Sequence, residues 1–103
     1  MWAQLIKMRL KPGREADLEK VWAGLRASEQ PGSGLVRSTS MHDQTDGLSI
    51  YTLVVFDSED AARARENDPR RQESLAEIRA LMGEIFDGPP EFVDLIVDDD
   101  HTG

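Results

Sequence analysis

The stretch YTLVVFDSEDAARARENDPR, residues 51–70, holds most of the strongest strand signal in the chain and the start of an interrupted helix. Ser58 can cap that helix, and the two acidic residues after it suit a helix N-terminus. Pro69 cannot continue the helix and Asp68 can cap a new one, which predicts a helix in two pieces. The strand at 48–56 is largely apolar on both faces, as expected for a strand covered on two sides. One face carries Leu48, Ile50, Thr52, Val54 and Phe56, and the other carries Ser49, Tyr51, Leu53 and Val55.

The rest of the chain predicts three more strands and one more helix. Residues 2–10 alternate with a period of two, which indicates a first strand. Apolar side chains at helical spacing follow, namely Leu18, Val21, Trp22 and Leu25. A weaker strand at 35–42 forms a hairpin with the strong one, and the last strand is at 91–97. The order β-α-β-β-α-β predicts an α+β, ferredoxin-like fold with an antiparallel sheet and both helical segments on one face.

Composition limits the class of protein. A chain of 103 residues with 39% hydrophobic and 31% charged residues is typical of one globular domain. We expect that domain over 1–97, followed by an acidic flexible tail at 98–103. The net charge of −8 disfavours nucleic acid and anionic membrane as partners, because both attract basic surfaces. Without cysteine, a bilayer-length apolar run or a signal-peptide pattern, the sequence predicts a cytoplasmic protein.

Both faces of the strand at 48–56 need cover, and the helices can cover only one of them. The other face would expose an apolar patch too large for most monomers. A second copy packed sheet against sheet about a two-fold axis removes that exposure, so we expect a homodimer. The alternative is that the C-terminal tail covers the open face.

No residue pattern identifies a catalytic centre, so the catalytic residues stay unknown. His42 lies beside a hairpin turn and His101 in the acidic tail, and neither belongs to a metal-ligand pattern. No serine lies in a strand–elbow–helix context, and the glycines of PGSG precede a strand rather than a helix. We therefore expect no metal site and no phosphate loop.

Four arginines form a local basic patch in an otherwise acidic chain: Arg63, Arg65, Arg70 and Arg71. Such a patch could hold an anionic ligand. Arginines on an exposed helix more often pair with nearby acids, here Glu66, Asp68 and Glu73. We expect the second arrangement.

Trp22 is the best candidate for a ligand contact. On a helix facing the sheet it would meet Met8, Thr52 and Phe56, which gives an aromatic-lined space with one polar group. Small-molecule pockets have that character, so these four are the candidate substrate-binding residues. The alternative is that Trp22 fills the core. Tyr51, on the opposite strand face, is expected in the dimer interface.

Four sequence segments together resemble those of the antibiotic biosynthesis monooxygenase (ABM) family, within the dimeric α/β-barrel superfamily. They are KPGREADLEKVW after the first strand, PGSGLVRSTS entering the second, YTLVVFDSEDAARAR, and DPR…GPPEF around the second helical segment. The similarity covers roughly residues 2–97. It implies a dimeric α/β barrel whose pocket lies between the sheet and the helices, the face that here carries Ile6, Met8, Thr52 and Phe56.

The resemblance also implies two kinds of activity. Some members oxidise polycyclic aromatic substrates with O₂ and no bound cofactor, and others bind and degrade haem. The haem-degrading members use a first-strand asparagine, where this chain has Ile6, and a histidine on the second helix, which residues 58–86 lack. We therefore expect no cofactor.

The quinone-forming members use four pocket residues whose aligned positions here are Thr52, Phe56, Ala62 and Leu75. Thr52 keeps a hydroxyl and Phe56 an aromatic ring, while Ala62 and Leu75 supply no donor; Gln4 or Arg37 could replace the missing donors. The resemblance implies a cofactor-independent monooxygenase acting on an aromatic or quinone-like small molecule. Because the family's catalytic polar residues are largely missing, the alternative is a non-catalytic small-molecule-binding or structural dimeric barrel protein.

Overall fold

The computed structural model describes residues 1–103 and confirms the α+β, ferredoxin-like fold. The strands and helices in chain order are β1 Trp2–Arg9, α1 Glu15–Ala27, β2 Leu35–His42, β3 Ser49–Phe56, α2 Glu59–Glu66, α3 Pro69–Ser74, α4 Ala76–Ile85 and β4 Glu91–Ile96. The four strands form one antiparallel sheet in the order β2-β3-β1-β4. None of the helices combines the length and the apolar character needed to cross a bilayer.

The register of the central strands determines which side chains meet the helices. Phe56 pairs with Trp2, Thr52 with Ile6, and Ile50 with Met8, so these residues share one face of the sheet. That face packs against the helices. The predicted face for Ile6, Met8, Thr52 and Phe56 is therefore confirmed.

The second helical segment has three pieces rather than the predicted two. Ser58 caps α2 by accepting a hydrogen bond from the Ala61 backbone N–H at 3.1 Å, and Asp68 caps α3 through the Arg70 N–H at 2.9 Å. Both caps were predicted. The additional break falls at Leu75, which keeps helical dihedral angles and is only 3% exposed. No glycine or proline marks that position, so the sequence pattern does not reveal it.

The helix-facing side of the sheet carries two separate apolar clusters. The first lies under α1 and α4 and comprises Leu10, Leu18, Val21, Ile50, Ile85 and Phe86. The second lies under α2 and comprises Trp2, Val54, Phe56 and Ala62. Only 15 of the 103 residues are buried, so the core of one chain is thin for its length.

The opposite face of the sheet, which we call the open face, carries no helix. Residues at its edges, such as Met41 and Leu95, stay 44% and 38% exposed. The tail after β4 reaches back to β2, where Asp100 lies 3.6 Å from Arg37. Ala3 and Val55, which lie on this face between the two edges, are buried. The tail thus covers one end of the open face and leaves the rest unpaired.

Helices α1 and α4 pack closely because Gly24 has no side chain at their contact. A Cβ at Gly24 would overlap Cδ1 and Cγ1 of Ile78. Gly83, in α4, faces open space, and a Cβ there would touch nothing within 4 Å. The two glycines therefore have different structural roles in otherwise similar helices.

We expect Gly83→Ala to raise the free energy of unfolding by about 0.5–1 kcal/mol, because alanine favours the helix and meets no neighbour. Gly24→Ala should lower it by about 1–3 kcal/mol, because Ile78 must leave its packed position. Urea denaturation of both variants measures the difference. Equal stabilisation by the two substitutions would contradict the close α1–α4 contact.

Candidate functional site

The four candidate substrate-binding residues lie on the helix-facing side of the sheet but do not form one contiguous lining. Met8 and Trp22 pack against the first apolar cluster. Phe56 belongs to the second cluster, with Trp2 at a ring-centroid distance of 6.1 Å. Thr52 lies between them, two residues along β3 from Ile50 and four from Phe56.

A groove beside α1 is the concave feature that involves Trp22. Its volume is about 680 Å³, and it lies between α1 and the β2–β3 hairpin. Trp22, Leu48 and Ile50 are among its apolar residues, and His42 lies at the β2 side. The carboxylates of Glu15 and Glu19 also line it. An aromatic wall with a few polar groups is the composition expected of a small-molecule site.

His42 is the site residue that the sequence interpretation missed. It lies beside the hairpin turn as predicted, is the last residue of β2, pairs with Ile50 and is exposed. Strand parity could have located it, because Ser40 and His42 share one face of β2. That parity places the imidazole on the helix-facing side, next to the groove.

Thr52 is the buried polar group of this face, and its hydroxyl is already bonded. The Oγ atoms of Ser40 and Thr52 are 2.9 Å apart, so one hydroxyl donates to the other. Thr52 is 9% exposed. After this bond the pair keeps one hydroxyl hydrogen to donate and lone pairs on both oxygens to accept, between the groove and the second cluster.

The arginine patch divides into residues with local partners and residues without them. The predicted pairing is confirmed for Arg63 with Glu66 at 3.2 Å and for Arg70 with Asp68 at 2.8 Å. It is wrong for Arg65, which pairs with Glu29 at the end of α1. Arg71 makes no ion pair, and Glu73 has none either. Pairing across 36 residues of sequence could not be predicted from local spacing.

Arg65 and Glu29 form a two-pronged ion pair in a partly buried position. Nε and Nη2 of Arg65 donate to Glu29 Oε2 at 2.9 and 2.7 Å. The Arg65 guanidinium also lies 5.4 Å from the centroid of the Phe56 ring. Burial would raise the pKa of Glu29, but hydrogen bonds from Arg65 and Ser33 outweigh it, so that pKa is lowered. This pair therefore connects α1, α2 and the second cluster.

Gln4 and Arg37, the two possible replacement donors, both already interact with other residues. Gln4 is on the helix-facing side, but its amide donates to Asp94 at 2.9 Å. Arg63 also donates to Asp94, at 3.0 Å. The hydrogen bonds from Gln4 and then Arg63 lower the pKa of Asp94. Arg37 pairs with Val55 in the sheet, so it lies on the open face and cannot reach this site.

The residues present do not fit a metal centre or a haem held from the second helical segment. No group of three or more His, Asp or Glu side chains is placed to hold a metal ion. Helices α2, α3 and α4 contain no histidine, and Ile6, where the haem-degrading pattern has an asparagine, packs against the second cluster.

Together, the sheet order and the helices on one face define a ferredoxin-like α+β protein, with a groove beside its first helix that Trp22 lines. The chain belongs to the antibiotic biosynthesis monooxygenase family, whose sequence model matches residues 1–77. A comparison with curated proteins found no match.

Solved structures share this fold over nearly the whole chain. MhuD, solved as an arginine-to-serine mutant with two manganese protoporphyrin IX molecules bound per active site, has a TM-score of 0.81 at 16% identity, with 100% of each chain covered. SnoaB, a cofactor-independent oxygenase from Streptomyces nogalater, has a TM-score of 0.73 at 20% identity, covering 96% of this chain and 94% of SnoaB. Rv0793 from Mycobacterium tuberculosis has a TM-score of 0.74 at 16% identity, covering 98% of each chain.

The Arg65–Glu29 pair should give a stability that depends on pH. Because the pKa of Glu29 is lower in the folded chain than its ordinary value of 4.5, the pair stabilises fully above about pH 4.5 and is lost as pH falls through the folded value. We expect Glu29→Gln to lower the free energy of unfolding by about 2 kcal/mol near pH 7. That difference should shrink steadily as the pH falls below 4.5.

Urea denaturation between neutral and acidic pH measures this dependence. Glu73→Gln, which removes an exposed carboxylate without an ion pair, is the matched control and should change stability little at any pH. A difference for Glu29→Gln that is independent of pH would contradict an ionic contribution from the pair.

Proposed function

We propose that the chain binds a planar aromatic small molecule beside α1 and oxidises it with O₂ as a cofactor-independent monooxygenase. The observation that carries this proposal is the groove of about 680 Å³ with Trp22 in its wall, in a chain of the ABM family. SnoaB, which shares the fold, is a cofactor-independent oxygenase. MhuD binds a metalloporphyrin, but this chain lacks the residues to hold one in the haem-degrading pattern.

Of the four candidate substrate-binding residues, Trp22 lines the groove itself. Trp22 provides the aromatic face against which a planar ring stacks, and Met8 lies beside it on the first cluster. Thr52, paired to Ser40, does not line the groove, where the polar groups are His42, Glu15 and Glu19. Phe56 lies on the same face of β3, at its far end from the groove.

The reaction that suits such a site converts an activated CH₂ group of an anthrone-like ring into a carbonyl. The CH₂ carbon loses two hydrogens and gains one oxygen atom, while the second oxygen atom of O₂ leaves as water. The ring itself supplies the electrons once it has lost a proton. The His42 imidazole, at the groove, can accept that proton.

A second function is favoured by the shortage of free donors. An oxygenase must stabilise an enolate or phenolate with pre-placed donors. Ala62 and Leu75 are buried and apolar, and Thr52 already bonds to Ser40. These contacts favour a protein that binds the aromatic molecule without oxidising it.

Trp22→Ala should weaken the binding of an anthrone or hydroxyquinol about ten-fold, because the stacking face contributes roughly 1.4 kcal/mol. Titration followed by the ligand-induced rise in melting temperature measures the affinity. Trp2→Phe is the control, because Trp2 lies in the second cluster and not in the groove. An equal loss of affinity in both variants would argue against the groove.

Oxygen consumption separates the two functions. The monooxygenase should consume one O₂ for each quinone formed, in the presence of a metal chelator and without added flavin. Binding without O₂ uptake above the rate of autoxidation would identify the non-catalytic protein.

We also propose that two copies associate through the open face. Leu53 is central on that face and paired to Leu5, and both stay partly exposed in one chain. The tail covers only the end near Arg37. A second sheet would cover the remaining apolar strip.

Light scattering should give about twice the 11.5 kDa mass of one chain at micromolar concentration. Leu53→Lys should shift the mass towards one chain, because a charge would be buried in the interface. Ala23→Lys, on the exposed side of α1, should leave the mass unchanged. A wild-type mass of 11.5 kDa would rule out the dimer.

A further inference from the structure

The groove beside α1 is lined by charges of one sign. Its lining includes the carboxylates of Glu15 and Glu19, but no lysine and no arginine. His42 is the remaining side chain of the lining that can carry a charge. A groove of about 680 Å³ has room for a small aromatic molecule, so the charge of its wall bears on which molecules enter it.

The two carboxylates lie on the same side of α1 as the Trp22 indole. Glu15, Glu19 and Trp22 follow one another at spacings of four and three residues, so they share one face of the helix. All three line the groove. Two like charges four residues apart on a helix repel each other. A positive group held between them would relieve that repulsion and would lie near an aromatic ring, which also attracts cations.

The chain supplies little positive charge to neutralise these carboxylates. Glu15 belongs to none of the ion pairs that α1 makes. Glu19 forms one ion pair, with Arg26 at 3.1 Å, in which the side chains of Arg26 and Glu19 are 67% and 71% exposed. Exposed pairs of this kind contribute little to stability, so Arg26 is a weak competitor for a bound cation. The net charge of −8 adds a general attraction for cations.

A ligand that carries a carboxylate meets the opposite situation in this groove. Its negative charge would lie beside Glu15 and Glu19, where no guanidinium or ammonium group of the lining can receive it. Repulsion between like charges therefore opposes its binding. Two aromatic molecules of the same size should thus differ in affinity according to the sign of their charge.

We infer that the groove selects planar aromatic molecules that carry a positively charged nitrogen, such as a protonated amine, over those that carry a carboxylate. The ring packs against Trp22, and the ammonium group lies by Glu15 and Glu19, which are then the residues that determine specificity. This inference rests on the proposed binding of an aromatic molecule beside α1. It holds whether or not that molecule is oxidised.

Three naphthalene compounds of similar size test the selection: naphthylmethylamine, which is a cation at neutral pH, naphthylmethanol, which is neutral, and naphthoate, which is an anion. The ¹H–¹⁵N signal of the Trp22 indole reports binding in the groove, and that of Trp2, in the second cluster, is the internal reference. At matched ionic strength the amine should bind about ten-fold more tightly than the alcohol, and naphthoate should bind most weakly.

Two variants separate the groove carboxylates from the charge of the whole chain. Glu15→Gln should lower the ratio of amine affinity to alcohol affinity about three-fold. Glu77→Gln makes the same change in net charge at an exposed position of α4 that does not line the groove, and it should keep the wild-type ratio. Added salt should lower the ratio in the wild type, because it screens exposed charges.

Three outcomes would overturn the inference. Equal affinity for all three compounds, with saturable shifts at Trp22, would exclude the charge selection and leave the aromatic groove as a binding site. An equal fall of the affinity ratio in Glu15→Gln and Glu77→Gln would show attraction by the net charge alone. The absence of a saturable shift at Trp22 with any of the three compounds would overturn both the selection and the proposed binding beside α1.

Discussion

The structure depends on the need of β3 to bury both of its faces. It lies in the interior of the sheet between β2 and β1, and its side chains on both faces are largely apolar. The right-handed crossovers of the two halves bring all helices to one side, so that only one face is covered within the chain. The helix-facing side then becomes the core and carries the proposed ligand groove, and the open face becomes the surface through which we propose that two copies associate. Both roles follow from one strand.

Polar contacts within the helix-facing side follow a second constraint. A charged group placed there must have a partner, because desolvation is costly. Arg65 forms an ion pair with Glu29. Asp94 accepts hydrogen bonds from both Gln4 and Arg63. The hydroxyls of Ser40 and Thr52 bond to each other. These pairs occupy donors that a catalytic site would leave free. Arg71 is the exception, because its Nε atom is buried without an acceptor.

Local patterns were sufficient to predict much of this architecture. The period of two placed Ile6, Met8, Thr52 and Phe56 on one face, and the capping chemistry of Ser58 and Asp68 located two helix starts. Contacts between distant segments were beyond such reasoning. Helix packing brings Arg65 to Glu29, and it also places Trp22 and Phe56 in different clusters. Neither result can be predicted from the local spacing of residues. The break at Leu75 arises likewise without a local signal.

The contact between Gly24 and Ile78 has a mechanical consequence for the Trp22 groove. It fixes the C-terminal half of α1 against α4, and Glu29 fixes the segment just beyond the end of α1 to α2. The first turns are held to α4 as well, because Leu18 packs with Ile85 and Arg14 lies 3.8 Å from Glu84. The helix side of the groove is therefore attached along its whole length, and the groove can widen only if the β2–β3 hairpin moves away from α1. The size of molecule that fits beside Trp22 is thus limited by the movement of that hairpin.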